Sequence, residues 1–220
     1  MDKKKYTISF NNKTIEQLKK SLIKNNISIT PTDTVFGLIG NTTLKSYKKL
    51  NNIKTKRDNK PYLILIDSIQ KLKKFIDKTY LLNPKIINLI NNCWPGSVTI
   101  VFKAKKNLPK FLTSPQKTIA IRCPDHEELQ KLLSNFNGLF STSANISNQP
   151  VPSIIENIDP EILKKIDYLV VDRKHSFTQT LPSTIIDLSN DKEVKVIRKG
   201  AFPINKLEEY YGTKFKKTGE

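Results

Sequence analysis

Apolar residues recur along this chain with two distinct periods, and each period marks a stretch of regular structure. Ile15, Leu18, Leu22 and Ile23 fall on one face of a 3.6-residue repeat, which predicts a helix over Thr14–Lys24. Tyr47, Leu50 and Ile53 do the same for Leu44–Ile53. Ile69–Ile76, Pro84–Asn91 and Asn205–Tyr211 also read as helices, and His126–Leu133 as a helix that starts and caps at Pro124-Asp125. Between them run short strands: Thr7–Phe10, Ile27–Thr30 ending at Pro31, Ser97–Phe102, Thr118–Ile121, Tyr168–Val171, Ser183–Leu188 and Val194–Ile197. Tyr62–Ile66 is a continuous apolar run, the mark of a strand covered on both faces. Gly138–Phe140 leads as a short strand into Ser141-Thr142-Ser143-Ala144-Asn145. Strands and helices alternate irregularly, and the last two strands are joined by the turn pair Asn190-Asp191. That order predicts an α/β chain of the α+β kind: one mixed parallel and antiparallel sheet with flanking helices, rather than a doubly wound parallel sheet. No linker rich in Pro or Gly divides the chain. Residues 1–212 are expected to form a single domain, with an irregular loop over Asn145–Ile155 and a frayed tail over 213–220.

Composition narrows the function classes. Hydrophobic residues make up 37% of the 220 positions, enough for one sizeable core. No apolar run approaches the roughly 20 residues of a membrane helix, and Met1–Phe10 lacks the apolar stretch of a signal peptide. These features predict a cytoplasmic protein with no membrane partner. Cys93 and Cys123 stand far apart without a metal-ligand pattern, and His126 and His175 are the only histidines. The expectation is therefore two buried thiols and no zinc site. The formal net charge of +18 points to a polyanionic partner, a nucleotide or RNA. A chain so rich in Lys, Asn and Ile also spreads charge over solvated faces, so Lys19, Lys20, Lys48 and Lys49 need no specific role.

Five segments put small polar or basic residues at strand ends, where α/β sheets hold their ligands. Thr32, Asp33 and Thr34 offer two hydroxyls and a carboxylate after Pro31, as a ligand contact or as a helix cap. Lys54, Lys56, Arg57 and Lys60 place four cations within seven residues before the buried strand, suited to a polyphosphate or to a solvated loop. The only tryptophan, Trp94, sits at a Pro-Gly turn entering a strand and reads as an anchor. Alternation puts Thr118, Ala120 and Arg122 on one strand face, where an arginine suits a carboxylate or phosphate, or an ordinary surface ion pair. Ser141-Thr142-Ser143-Ala144-Asn145 ends an apolar strand in hydroxyls, which fits a ligand wall. The run lacks the Gly-x-Ser-x-Gly elbow of a serine hydrolase, and the chain has neither a Walker A loop nor a dinucleotide fingerprint.

In order along the chain, PTDTVFGL from 31, KTKRDNKP from 54, WPGSVTIVF from 94, TIAIRCPDH from 118, LFSTSANISNQP from 139, STIID from 183 and VIRKG from 196 resemble the YrdC/Sua5 family of threonylcarbamoyl-AMP synthases, short form. The resemblance spans about residues 27 to 200 and implies a twisted mixed sheet with an open, basic central cavity. It implies a nucleotidyltransferase that forms L-threonylcarbamoyladenylate and pyrophosphate from L-threonine, bicarbonate and ATP. The product would feed t6A formation in tRNA through a separate transferase complex, with direct tRNA contact possible. By position, the family pattern assigns Thr32, Thr34, Arg122, Ser141 and Ser183 to threonine and bicarbonate. It assigns Lys54, Lys56, Lys60, Thr118, Ser143, Asn145 and Arg198 to ATP. Lys56 stands where the family carries Arg, and Arg57 follows it; lysine keeps the charge but lacks the bidentate fork.

This chemistry needs no covalent nucleophile. Three anionic or polar reactants must be collected and their repulsion offset, so positioning and electrostatic stabilisation are the expected devices. Mg2+ would ride on the ATP phosphates rather than in a protein cage. Two other classes compete: an RNA-binding module of the same fold without chemistry, and a carbamoyl-transfer domain of the kind found in larger maturation enzymes. The first needs none of the hydroxyl runs, and the second is disfavoured by the lack of zinc motifs.

Overall fold

A computed structural model describes residues 7–55, 61–147, 149–152, 154–172, 181–190 and 193–217. Its strands are β1 (Thr7–Ser9), β2 (Ile27–Thr30), β3 (Gly37–Asn41), β4 (Leu63–Leu65), β5 (Val98–Lys103), β6 (Thr118–Arg122), β7 (Leu139–Ser143), β8 (Tyr168–Val171), β9 (Thr184–Asp187), β10 (Lys195–Arg198) and β11 (Lys216–Lys217). Its α-helices are α1 (Asn12–Ile23), α2 (Leu44–Lys54), α3 (Pro84–Cys93), α4 (Glu127–Leu133), α5 (Pro160–Leu163) and α6 (Ile204–Tyr211). The strands form one sheet in the order β1-β8-β2-β3-β7-β4-β6-β5-β9-β10-β11. Parallel pairs such as β4–β6 and β5–β9 mix with antiparallel pairs such as β3–β7 and β5–β6. The expected mixed sheet with flanking helices is what forms, and β9 and β10 pair antiparallel as the Asn190-Asp191 turn predicts.

The period-2 alternation of the strands divides their side chains between two layers. One layer packs Leu38, Ile64, Phe140, Ile100 and Ile121 against α2, α3 and α6 through Leu50, Leu89 and Leu207. The other packs Ile39, Leu65 and Leu139 against α1 and α4 through Leu18, Leu22, Leu129 and Leu132. Only part of this second face carries large apolar residues. On β5, β6 and the far half of β7 the corresponding positions are Thr99, Ala120, Arg122, Ser141 and Ser143, and this uncovered part of the face forms the floor of a cavity.

Several elements depart from the periodicity. β3 is not legible as a strand, because Gly37-Leu38-Ile39-Gly40 is buried on both faces and its glycines read as turns. Ile69–Ile76 is a 3-10 helix over Ile69–Lys74 rather than an α-helix: Ile69, Leu72 and Phe75 recur every three residues, the 3-10 repeat. His126, not Asp125, caps α4, with its Nδ1 accepting from the Leu129 N–H at 3.3 Å. His126 also has carboxylate neighbours, Glu128 at 3.7 Å and Asp172 at 3.4 Å, whereas His175 lies outside the described residues. The tail expected to fray from Thr213 is held as far as Lys217. Phe215 is buried, and the Lys216 N–H donates to Val194 O as β11 pairs with β10. Both thiols are buried and free. Burial pushes the Cys123 pKa up to about 12 and that of Cys93 upward as well.

Candidate functional site

The cavity encloses about 340 Å3. Its wall combines the β2–β3 loop, the ends of β6 and β7, the approach to β9 and the end of β10. Thr32, Thr34, Arg122, Ser141, Ser143, Ser183 and Arg198 all line it. They come from five segments that are distant in sequence, and the strand order brings them to one side of the sheet.

In the β2–β3 loop the two threonines do different work. Thr32 Oγ1 accepts from the Thr34 and Val35 N–H groups at 3.1 and 3.2 Å and donates to Val35 O at 2.8 Å, so its hydroxyl is spent on the turn. Thr34 Oγ1 instead accepts from Arg122 Nη1 at 2.8 Å. Arg122, with 4% of its surface exposed, also donates from Nε to Gly96 O at 3.0 Å and from Nη2 to Asp33 at 2.5 Å. Three of its five N–H groups are thus committed among the described residues, one on each nitrogen. One N–H on each terminal nitrogen is left for a ligand. The sequence noted the Asp33 carboxylate but not that it pairs with Arg122. The Pro-Gly turn after Trp94 positions the arginine too, through the Gly96 carbonyl.

Across the cavity, Arg198 donates from Nε and Nη2 to Ser183 O at 3.1 and 2.9 Å and from Nη2 to Ser183 Oγ at 3.3 Å. Burial, and after it the Arg122 guanidinium, hold the Arg198 pKa below the usual arginine value. Thr99, which periodicity placed on a strand but nothing marked as functional, lies 2.8 Å from Ser183 Oγ and also lines the cavity. Leu63, Leu65, Ala120, Val151, Pro182 and Ile185 supply the apolar part of the wall. None of the described lining residues is a carboxylate.

Three of the expected positions lie off the lining. Lys54 is buried and donates from Nζ to the carbonyls of Ser143 and Asn145 and to Asn145 Oδ1. Asn145 Oδ1 also accepts from Ser143 Oγ at 2.6 Å, and Ser147 Oγ donates back to Lys54 O at 2.9 Å. Lys54 and Asn145 thus bolt the end of α2 to the loop after β7, behind Ser143. Thr118 is at the opposite end of β6 from Arg122, and its hydroxyl is 2.7 Å from Ser114 Oγ. Lys56, Arg57 and Lys60 lie outside the described residues; Pro61, the next residue described, lines the cavity.

Residues 20–200 match the family model of Sua5, YciO and YrdC, whose description reads telomere recombination. The chain belongs to the Sua5/YciO/YrdC family. A Methanocaldococcus jannaschii relative with a provisional threonylcarbamoyl-AMP synthase name is 36% identical over 196 residues, covering 89% of each chain. The threonylcarbamoyl-AMP synthase of Pseudoalteromonas translucida is 31% identical over 173 residues, or 78% of this chain and 91% of that one. In three dimensions, the chain resembles the crystal structure of P. abyssi Sua5 complexed with L-threonine, with a TM-score of 0.85 at 23% identity. That match covers 96% of this chain and 62% of the Sua5 chain, so this Sua5/YciO/YrdC chain spans less than two thirds of that protein. Among the described residues of this family member, no helix is long and apolar enough to cross a membrane.

Proposed function

We propose that this chain is a threonylcarbamoyl-AMP synthase, a nucleotidyltransferase that joins L-threonine, bicarbonate and ATP. The observation that carries the reading is the meeting of two arginines, the buried Arg122 and the more exposed Arg198, in one hydroxyl-rich cavity whose described lining carries no carboxylate. Two cations facing one cavity repel each other, and anionic reactants relieve that repulsion. Arg122, fixed at three points, presents one N–H from each terminal nitrogen to the threonine carboxylate. The apolar patch around Leu63, Leu65 and Ile185 accepts aliphatic or base surface.

In the reaction bicarbonate takes up the proton that the threonine ammonium releases and gives CO2 and water; the neutral amine attacks the CO2 carbon, loses a second proton to solvent and becomes an N-carboxylate. An oxygen of that carboxylate attacks the α-phosphorus of ATP. The bond from the α-phosphorus to the oxygen bridging to the β-phosphate breaks, and pyrophosphate leaves with its electron pair. No side chain forms a bond. Ser141 and Ser183 hold oxygens in line, Ser143, whose proton goes to Asn145 Oδ1, is left to accept from a reactant donor, and the arginines offset the accumulating negative charge. Mg2+ carried on the phosphates would add charge neutralisation, and the described lining offers no carboxylate that would hold it apart from them. Lys56 and Lys60 fit the triphosphate by sequence position. The product would pass to a tRNA-modifying transferase complex in the cytoplasm.

The test is release of pyrophosphate from ATP by the purified protein. It is expected only when threonine and bicarbonate are both present. Tight RNA binding with no threonine-dependent release would instead support a binding module.

A further inference from the structure

Thr99 has 1% of its surface exposed, and its hydroxyl meets Ser183 across the β5–β9 pairing. We propose that Thr99 is a positioning residue that makes Ser183 a one-way hydrogen-bond donor toward an anionic oxygen of the bound reactants. The proposal rests on the synthase reading and adds the polarity of one of its contacts.

The argument is a count of protons and lone pairs. Ser183 Oγ has one proton and two lone pairs. Arg198 Nη2 can only donate, and it points at Ser183 Oγ from 3.3 Å, filling one lone pair. Among the described residues, the bonded partner of Thr99 Oγ1 is Ser183 Oγ, at 2.8 Å. If Ser183 donated to Thr99, the Thr99 proton would be buried without an acceptor, which is the costly arrangement. If Thr99 donates, the second lone pair of Ser183 is filled and the Ser183 proton turns to the cavity. Ser183 then accepts nothing more, so its partner is an oxygen with lone pairs to share. That oxygen belongs to the carboxylate of the amino acid or to a phosphate of ATP; an ammonium group is excluded. The nearby Arg198 guanidinium polarises the Ser183 hydroxyl in the same sense, so the contact strengthens as charge builds on the ligand oxygen.

The experiment is a double-mutant cycle read by calorimetric titration with L-threonine and with ATP. Thr99→Val keeps the side-chain shape and removes the hydroxyl; Thr99→Ser keeps the hydroxyl and removes the methyl. Thr99→Val is expected to weaken the binding of one of the two ligands about tenfold, and Thr99→Ser to regain most of it. A loss confined to threonine puts the oxygen on the amino acid, and a loss confined to ATP puts it on a phosphate. In a Ser183→Ala background, Thr99→Val is expected to add nothing, because the hydroxyl it orients is gone. Thermal unfolding checks the fold, and Thr99→Ala takes the same place in the cycle if valine is not tolerated. Unchanged affinities in Thr99→Val, equal losses in the Val and Ser variants, or additive losses with Ser183→Ala would each overturn the proposal. Wild-type protein that binds both ligands but releases no pyrophosphate overturns the synthase reading alone. Protein that binds neither overturns both.

Discussion

Gly200, two residues after Arg198, is packed against the backbone that carries Ser183. A methyl group there would sit 2.2 Å from Pro182 O, 2.4 Å from Ser183 C and 2.5 Å from Thr184 N. Each of those atoms is main chain and cannot rotate away, and carbon–oxygen contacts need about 3.3 Å. Gly200→Ala therefore requires the 182–184 segment to retreat by about 1 Å. That segment lies between β5 and β10, so such a shift displaces Ser183 against Thr99 by more than their 2.8 Å hydrogen bond tolerates. It also disturbs the bonds from Arg198 to Ser183 O. Overpacking of this kind costs about 1–3 kcal/mol of stability, and a 1 Å misplacement of a positioning group costs about 100-fold in rate. Urea unfolding and pyrophosphate release measured on the same preparation check both numbers. Gly212→Ala is the matched control. Gly212 caps α6 at φ 79° with nothing within 4 Å of the added methyl, so the cost is backbone strain of about 1 kcal/mol with turnover unaffected. Gly200→Ala protein that turned over at the wild-type rate would refute the reasoning, because it would show that the Ser183 backbone can move without consequence.

Two further outcomes follow from the buried charges and thiols. Asp33→Asn replaces the charged partner of Arg122 with a neutral one and should raise the threonine KM about tenfold while leaving the ATP KM alone; equal threonine KM values would remove Asp33 from the site. Cys93 and Cys123 are held protonated in the folded chain, with Cys123 at about 12, while an unfolded thiol titrates near about 8.5. Above that lower value the unfolded chain releases thiol protons that the folded chain keeps, so the thiol contribution to stability falls as pH rises from about 8.5 towards 12. The fall should flatten in a Cys93→Ala, Cys123→Ala double variant, and folded wild-type protein should resist a thiol-reactive dye at neutral pH. Rapid labelling of the folded chain would contradict the burial.

The sequence determined which face of each strand is chemical. Val98, Ile100 and Phe102 alternate with Thr99, and Ile119 and Ile121 alternate with Ala120 and Arg122, because a strand turns successive side chains to opposite sides. Local order was therefore enough to bring Arg122, Ser141 and Ser143 under suspicion, while Ser183 entered only through the ordered motifs that carried the family. It could not determine partners. Arg122 meets Asp33 across 89 positions, Thr99 meets Ser183 across 84, and Lys54 reaches Asn145 across 91. Those pairings follow from the strand order, which periodicity does not encode, and from β3, whose glycines conceal it. Tertiary structure accordingly reassigned Lys54 and Asn145 to a bolt behind the wall, separated the roles of Thr32 and Thr34, and gave Thr99 a place in the site. A period of two fixes the side a residue faces; only the packed sheet fixes which hydroxyl it finds there.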